Sequence, residues 1–300
     1  MNDLLYREQR FHALCNRFEH IKVGRMAAAF KIPSELYQTL RQTTMQLMSS
    51  CLDKQNNITN EKELISLLDN SPDCLSNRTP NGKIMPKPHL SLDYNRYIRS
   101  VREIINGMGI DDLIDSYRIP SCRYKTGDIS DELLNRAYAT EKLHTETWLG
   151  HPENTVIFHI PILGDIENNF VKLYDFPDEY KEEWSYPSDD FNNHLPLAKK
   201  FTEISHTPSP GYLYIFDGAG VHATTRNHGA LGRVSLELFM LLKNKIPQPG
   251  RPAHITNKLF DMEVTPEEFA SIGNEKIIHF KDTLSGAIEA DKISKMGSMN

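Results

Sequence analysis

Along the first third of the chain, apolar side chains recur at three- and four-residue spacing over residues 6–18 and 33–51, which predicts two amphipathic helices. A shorter helix is predicted over residues 60–68, opened by Asn60 as N-cap. Residues 94–108 predict another, ended by Gly107 and Gly109. The intervening stretch 71–88 is rich in Pro, Asn, Gly and Ser and reads as loop. From about Asp115 the pattern changes to short β-rich runs separated by turns. Windows 117–124, 143–148, 155–162, 170–176, 212–216, 221–225 and 233–242 predict strands of a sandwich or barrel. The tail opens near Ile246 with Pro247, Pro249 and Pro252. It predicts a strand or turn, then a helix over 265–272 capped by Thr265 ahead of Pro266-Glu267-Glu268. Helices first and strands second predict an α+β arrangement in which helices buttress a β-core.

Three hundred residues are enough for one large domain, or for two smaller ones, and a chain of this size buries its own core without disulfides. The expected division is one catalytic domain over 1–300. Within it, 1–114 is mainly helical, 115–245 forms the β-core and 246–300 is a C-terminal extension. A formal net charge of −6 argues against a nucleic-acid partner. No stretch reaches the length of a membrane span, and the start is too polar for a signal peptide. Cys15, Cys51, Cys74 and Cys122 form no CxxC pair and read as reduced thiols, which suggests a cytoplasmic protein. Oligomeric state is left open.

The chemistry concentrates in His144-Thr145-Glu146, His222 and Arg233-Val234-Ser235. In a strand, residues two apart share a face, so window 143–148 projects His144 and Glu146 together. With His222 from a later strand they form two imidazoles and a carboxylate, the facial set of non-haem Fe(II) oxygenases. Arg233 stands alone in an apolar run. An unpaired buried charge is costly, so it predicts a carboxylate partner, and 2-oxoglutarate supplies one. Ser235 shares its face and adds a hydrogen bond. A second His-x-Glu, His151-Pro152-Glu153, is rejected as a ligand pair because Gly150-His151-Pro152 reads as a turn. His206 and His228 compete with His222 as third ligand, but both read as solvated loop positions. Trp148, His159, Tyr124 and Arg226 are candidate substrate contacts. Arg123 and Lys125 read as a solvated strand end, Lys172 as similar, and the acidic run 175–183 as a solvated loop placed where a lid would lie.

At these residues the sequence resembles a known family. His144-Thr145-Glu146-Thr147-Trp148-Leu149-Gly150-His151-Pro152, with 156–162 after it, is similar to the region of the first metal ligands in the phytanoyl-CoA-dioxygenase-like superfamily. The texture is that of the aminoglycoside branch, the streptomycin-biosynthesis type. Segments 211–218 and 222–227, with Arg233-Val234-Ser235, resemble the second half of that pattern. The resemblance covers about residues 115–245. It implies a double-stranded β-helix (jelly-roll or cupin-like), Fe(II) at His144, Glu146 and His222, 2-oxoglutarate at Arg233, and O2 as co-reactant. That branch usually carries Asp as its carboxylate ligand, where this chain has Glu146. Glu serves in other 2-oxoglutarate oxygenases, so activity is expected to survive.

The expected reaction is oxidation of a C–H bond of a small polar metabolite, with release of succinate and CO2. The setting would be natural-product, sugar or amino-acid metabolism, and desaturation, cyclisation or epimerisation stay open beside hydroxylation. Three alternatives stay open too. A cupin-type metal enzyme without 2-oxoglutarate leaves Arg233 unexplained. A protein-modifying JmjC-like hydroxylase also uses His-Thr-Glu, but holds 2-oxoglutarate with a lysine on another strand. The last alternative is a non-catalytic β-domain that binds a sugar or a partner.

Overall fold

The computed structural model describes residues 3–52, 58, 60–128, 134–244, 262–280 and 290–295. The predicted helices form as α1 (Asp3–Cys15), α2 (Ser34–Ser50), α3 (Glu61–Asn70) and α4 (Ser91–Asn106). Asn60 caps α3, its side-chain oxygen accepting from the Glu63 amide at 3.0 Å. Short helices α5 (Leu195–Ala198) and α6 (Pro266–Ser271) follow, and α6 opens with the capping box Thr265–Glu268.

The strands are β1 (Ile21–Gly24), β2 (Ala27–Lys31), β3 (Ile114–Arg118), β4 (Ser121–Lys125), β5 (Thr155–Gly164), β6 (Asn169–Asp175), β7 (Thr202–Glu203), β8 (Tyr212–Asp217), β9 (His222–Arg226), β10 (Arg233–Leu242), β11 (Glu263–Val264), β12 (Lys276–Phe280) and β13 (Ala290–Lys295). The large sheet runs β1–β2–β8–β5–β10–β3–β11, with β4 also paired to β10. The small sheet is β7–β6–β9, extended by a bridge between His144 and His222. The strand pairings are antiparallel.

Three differences from the sequence reading have physical causes. Window 117–124 is two strands, because Pro120 has no amide to give a ladder. Window 143–148 is no strand: after the bridge at His144, Thr145 caps a 3-10 turn over Glu146–Leu149, its hydroxyl accepting from the Trp148 amide at 3.3 Å. The β1–β2 hairpin was not expected, since Ala27-Ala28-Ala29 carries no strand signal. Pairing along β8 and the packing of Ala27 among Ile157, Phe216 and Phe239 hold it extended. The expected tail start at Ile246, Pro247, Pro249 and Pro252 lies outside the described residues.

Strand β10 shows how the site is positioned. Its even-numbered residues, Val234 to Leu242, join the core shared with the helices. Its odd-numbered residues turn the other way, where Phe239 meets Leu173 of β6 beside Ile157 and Phe216. The two sheets therefore face each other across an interior that receives Arg233, Ser235 and Glu237. On the outer side, the hydroxyls of Tyr37, Tyr94 and Tyr97 donate to the carbonyls of Pro161, Pro120 and Ser121 at 3.1, 2.9 and 3.2 Å. Helices thus satisfy carbonyls at the β3–β4 turn and beside the register shift in β5. Among the described residues no helix is long and apolar enough to cross a membrane, and Cys15, Cys51, Cys74 and Cys122 are free thiols.

Candidate metal centre

His144 and His222 are brought together by the main chain. Each donates its amide to the other's carbonyl, at 3.0 and 2.9 Å. The turn between β8 and β9 places the third group: the Gly218 carbonyl accepts the amides of Glu146 and Thr147 at 3.0 and 3.3 Å. As a result Glu146 Oε1 lies 3.9 Å from His144 Nε2 and 3.3 Å from His222 Nε2. Among the described residues, His144, Glu146 and His222 form a group able to hold a metal, with ligand atoms all within 4.8 Å of one another and all three residues buried.

The hydrogen bonds fix the tautomers. His144 Nδ1 is 2.7 Å from the Lys142 carbonyl, and His222 Nδ1 is 3.0 Å from that of Gly220. A carbonyl only accepts, so both Nδ1 atoms carry a proton, and Nε2 is the atom each neutral ring offers as a ligand. This is the state a metal-ligating histidine needs. Burial, and then His222, push His144 down to about 3, so it stays uncharged at neutral pH. Burial opposes ionisation of Glu146, but contact with His222, then His151 and His144, outweighs it and keeps the carboxylate. Two imidazole nitrogens and an anionic oxygen thus converge in a buried space, an arrangement suited to a cation.

A second feature lies further along β10. Arg233 is buried, and its Nε and Nη1 have no hydrogen-bond partner among the described residues. Ser235 Oγ and His159 Nε2 are likewise buried and unpartnered. Burial, and then the nearby Arg226, push Arg233 down to about 9. Buried donors are nearly always satisfied in a working protein. A carboxylate that takes the guanidinium and the hydroxyl together matches this set.

The other expected residues fall as follows. Tyr124 points to the helix side of β4, and its hydroxyl donates to Asp69 at 2.7 Å, which removes it from the groups facing the interior. Trp148 is committed to the segment after β6, its indole nitrogen donating to the Trp184 carbonyl at 2.7 Å. Arg226 donates to the Thr126 carbonyl at 2.6 Å and pairs with Glu141 at 3.4 Å. Arg123 and Lys125 are not solvated: Arg123 pairs with Glu237, and buried Lys125 donates to Thr140 and Glu141 at 2.5 and 3.1 Å. Lys172 pairs with Glu203 at 2.9 Å. His206 is half-buried rather than solvated, while His228 is exposed. The acidic run 175–183 is not wholly solvated either, since Glu182 forms a buried two-bond pair with Arg7 at 2.9 and 2.7 Å. Arg7 also reaches Asp217 at 2.6 Å.

Sequence reasoning missed His151. Rejected as a ligand, it lies 3.5 Å from Glu146 Oε2. The available signal was Gly150, whose left-handed φ of 89° folds the chain back after the 3-10 turn.

No protein-family model matches this sequence, and no curated protein does. Solved structures match it at low identity. One is an N-substituted L-amino acid dioxygenase from Burkholderia ambifaria, 13% identical over 78% of this chain and 87% of that one, TM-score 0.38. Another is the non-haem α-ketoglutarate-dependent epimerase SnoN from nogalamycin biosynthesis, 8% identical over 82% and 92%, TM-score 0.43. A third is EctD from S. alaskensis with bound Fe, 15% identical over 82% of each chain, TM-score 0.39. The first has also been solved with α-ketoglutarate and the third with 2-oxoglutarate.

Proposed function

We propose that this protein is an iron(II)- and 2-oxoglutarate-dependent oxygenase that oxidises a C–H bond of a small polar metabolite. One observation carries the reading. Two histidines and a glutamate converge in a buried interior, and the next strand, β10, presents a buried arginine whose Nε and Nη1 have no hydrogen-bond partner among the described residues. The strand order supports it. Layers β4–β10–β5–β8 and His144–β9–β6–β7 face each other, which we take as a double-stranded β-helix.

In this reading His144, Glu146 and His222 hold the metal, and Arg233 with Ser235 receives the far carboxylate of 2-oxoglutarate. Bound iron and 2-oxoglutarate supply the oxidising power for O2 chemistry, with succinate and CO2 as co-products. The chain's own contribution is placement and dryness. Phe191 stacks on His144 at 4.6 Å between ring centroids, and Phe216 meets His222 edge-on at 5.1 Å, so apolar rings shield the imidazoles from water. A cupin-type enzyme without 2-oxoglutarate leaves the Arg233 Nε and Nη1 buried with no hydrogen-bond partner among the described residues. A metal-free binding domain leaves three converging acceptors without a cation.

Anaerobic absorbance tests the reading. Fe(II) followed by 2-oxoglutarate should produce a weak visible charge-transfer band in the wild type. The band should be absent in His144→Ala and should need more 2-oxoglutarate in Arg233→Ala. Iron binding with no band would favour the cupin-type enzyme, and no iron binding would favour the binding domain.

A further inference from the structure

Glu146 is one methylene longer than Asp and has one more rotatable bond, so holding it in one pose costs more side-chain entropy. The structure supplies an anchor for it. His151 Nδ1 lies 3.0 Å from Arg118 Nη1. A guanidinium only donates, so Nδ1 accepts, and the ring proton resides on Nε2. That Nε2 is the atom 3.5 Å from Glu146 Oε2. The other carboxylate oxygen, Oε1, is the one that faces the Nε2 atoms of His144 and His222.

The ring is itself held on several sides. The His151 amide donates to the Glu146 carbonyl at 3.2 Å, closing the fold-back at Gly150. Its ring packs against Phe239 of β10 at 4.5 Å. Arg118 is buried and pairs with Glu263 of β11 at 3.3 Å, so the relay ends on the strand contributed by the C-terminal part of the chain.

We propose that His151 is a positioning residue. Its Nε2–H engages Glu146 Oε2 and leaves Oε1 alone to the metal, and Arg118 and Glu263 fix the tautomer that makes this possible. The proposal rests on the metal reading above and adds the group that sets the carboxylate's coordination mode. It also accounts for the second His-x-Glu, whose histidine serves the first.

The test is anaerobic Fe(II) titration, together with the visible ligand-field spectrum of the Co(II)-loaded protein. His151→Ala should weaken Fe(II) binding by about 10–100-fold, the range for loss of an outer-sphere partner, and should shift the Co(II) bands. His151→Gln keeps an N–H donor and should recover most of the affinity and the wild-type bands. Thermal unfolding of the metal-free variants reports whether each one folds. Wild-type affinity and bands in His151→Ala would overturn the proposal, and so would equal losses in the Ala and Gln variants, which would assign the effect to ring packing. Wild-type protein that takes up neither metal would overturn the functional reading itself, a separate outcome.

Discussion

His144 and His222 hold each other through two backbone hydrogen bonds, at 3.0 and 2.9 Å, and their rings meet tilted at 4.3 Å between centroids. The imidazoles can therefore be removed while the bridge stays. His222→Ala is expected to abolish Fe(II) binding and turnover and to change stability by no more than ~1–2 kcal/mol, since no backbone bond is lost. Isothermal titration with Fe(II) and urea unfolding of the same preparation measure the two effects. Metal affinity near that of the wild type would contradict the ligand assignment.

Arg233 offers the reverse combination. Arg233 is a buried cation that Glu237, already paired with Arg123, compensates only in part, and its Nε and Nη1 have no hydrogen-bond partner among the described residues; a well-packed apolar replacement removes that cost. Arg233→Met should gain about 1–3 kcal/mol of stability without cosubstrate and should lose most of its 2-oxoglutarate affinity. Denaturant melts with and without 2-oxoglutarate read both. A variant less stable than the wild type in the absence of 2-oxoglutarate would show that Arg233 already has a structural partner.

Arg7 joins α1 to two buried carboxylates, Glu182 and Asp217. Removing one side of a buried pair leaves charge uncompensated. Arg7→Met should therefore cost about 3–5 kcal/mol, seen as a large fall in the urea midpoint. Adding Glu182→Gln and Asp217→Asn to that variant should restore part of the loss. A loss under ~1 kcal/mol would mean the pairs are no stronger than surface ones.

Lys125 gives a pH signature. Burial, only partly offset by Glu141, lowers it to about 7. In the unfolded chain it titrates near 10.4. Between these two values the unfolded state binds the extra proton, so stability linked to Lys125 rises with pH through that window and is lowest below about 7. Relative to Lys125→Met, the wild type should therefore gain stability between pH 7 and about 10. A pH-independent difference in urea midpoint between the two proteins would refute the burial argument.

Much of this was legible in the sequence, because period and composition agree with what tertiary packing demands. The four N-terminal helices and strands β5, β6, β8, β9 and β10 follow their patterns, and Arg233 stood out as a lone cation in an apolar run. What escaped was set by contacts remote in sequence. Ala27-Ala28-Ala29 is a strand only because β8 lies beside it. Glu182 sits in an acidic run that looks solvated until Arg7 reaches it from the first helix. The convergence of His144 and Glu146 was expected from strand alternation but is achieved by a bridge followed by a capped 3-10 turn. Alternation of side chains cannot reveal a turn, and it cannot show that Gly150 folds His151 back onto its neighbour.

The Arg7–Asp217 pair spans 210 positions and the Arg7–Glu182 pair 175. Such closures are late events in folding, because the loop entropy must be overcome before the contact forms. During synthesis α1 precedes both partners, and its buried arginine can meet Glu182 before β8 emerges but Asp217 only with it. His222 follows within a few residues of Asp217. The second ion pair that locks α1 and the histidine that completes the proposed metal site thus become available almost together, so closure of the scaffold and completion of that site are timed by the same short stretch of chain.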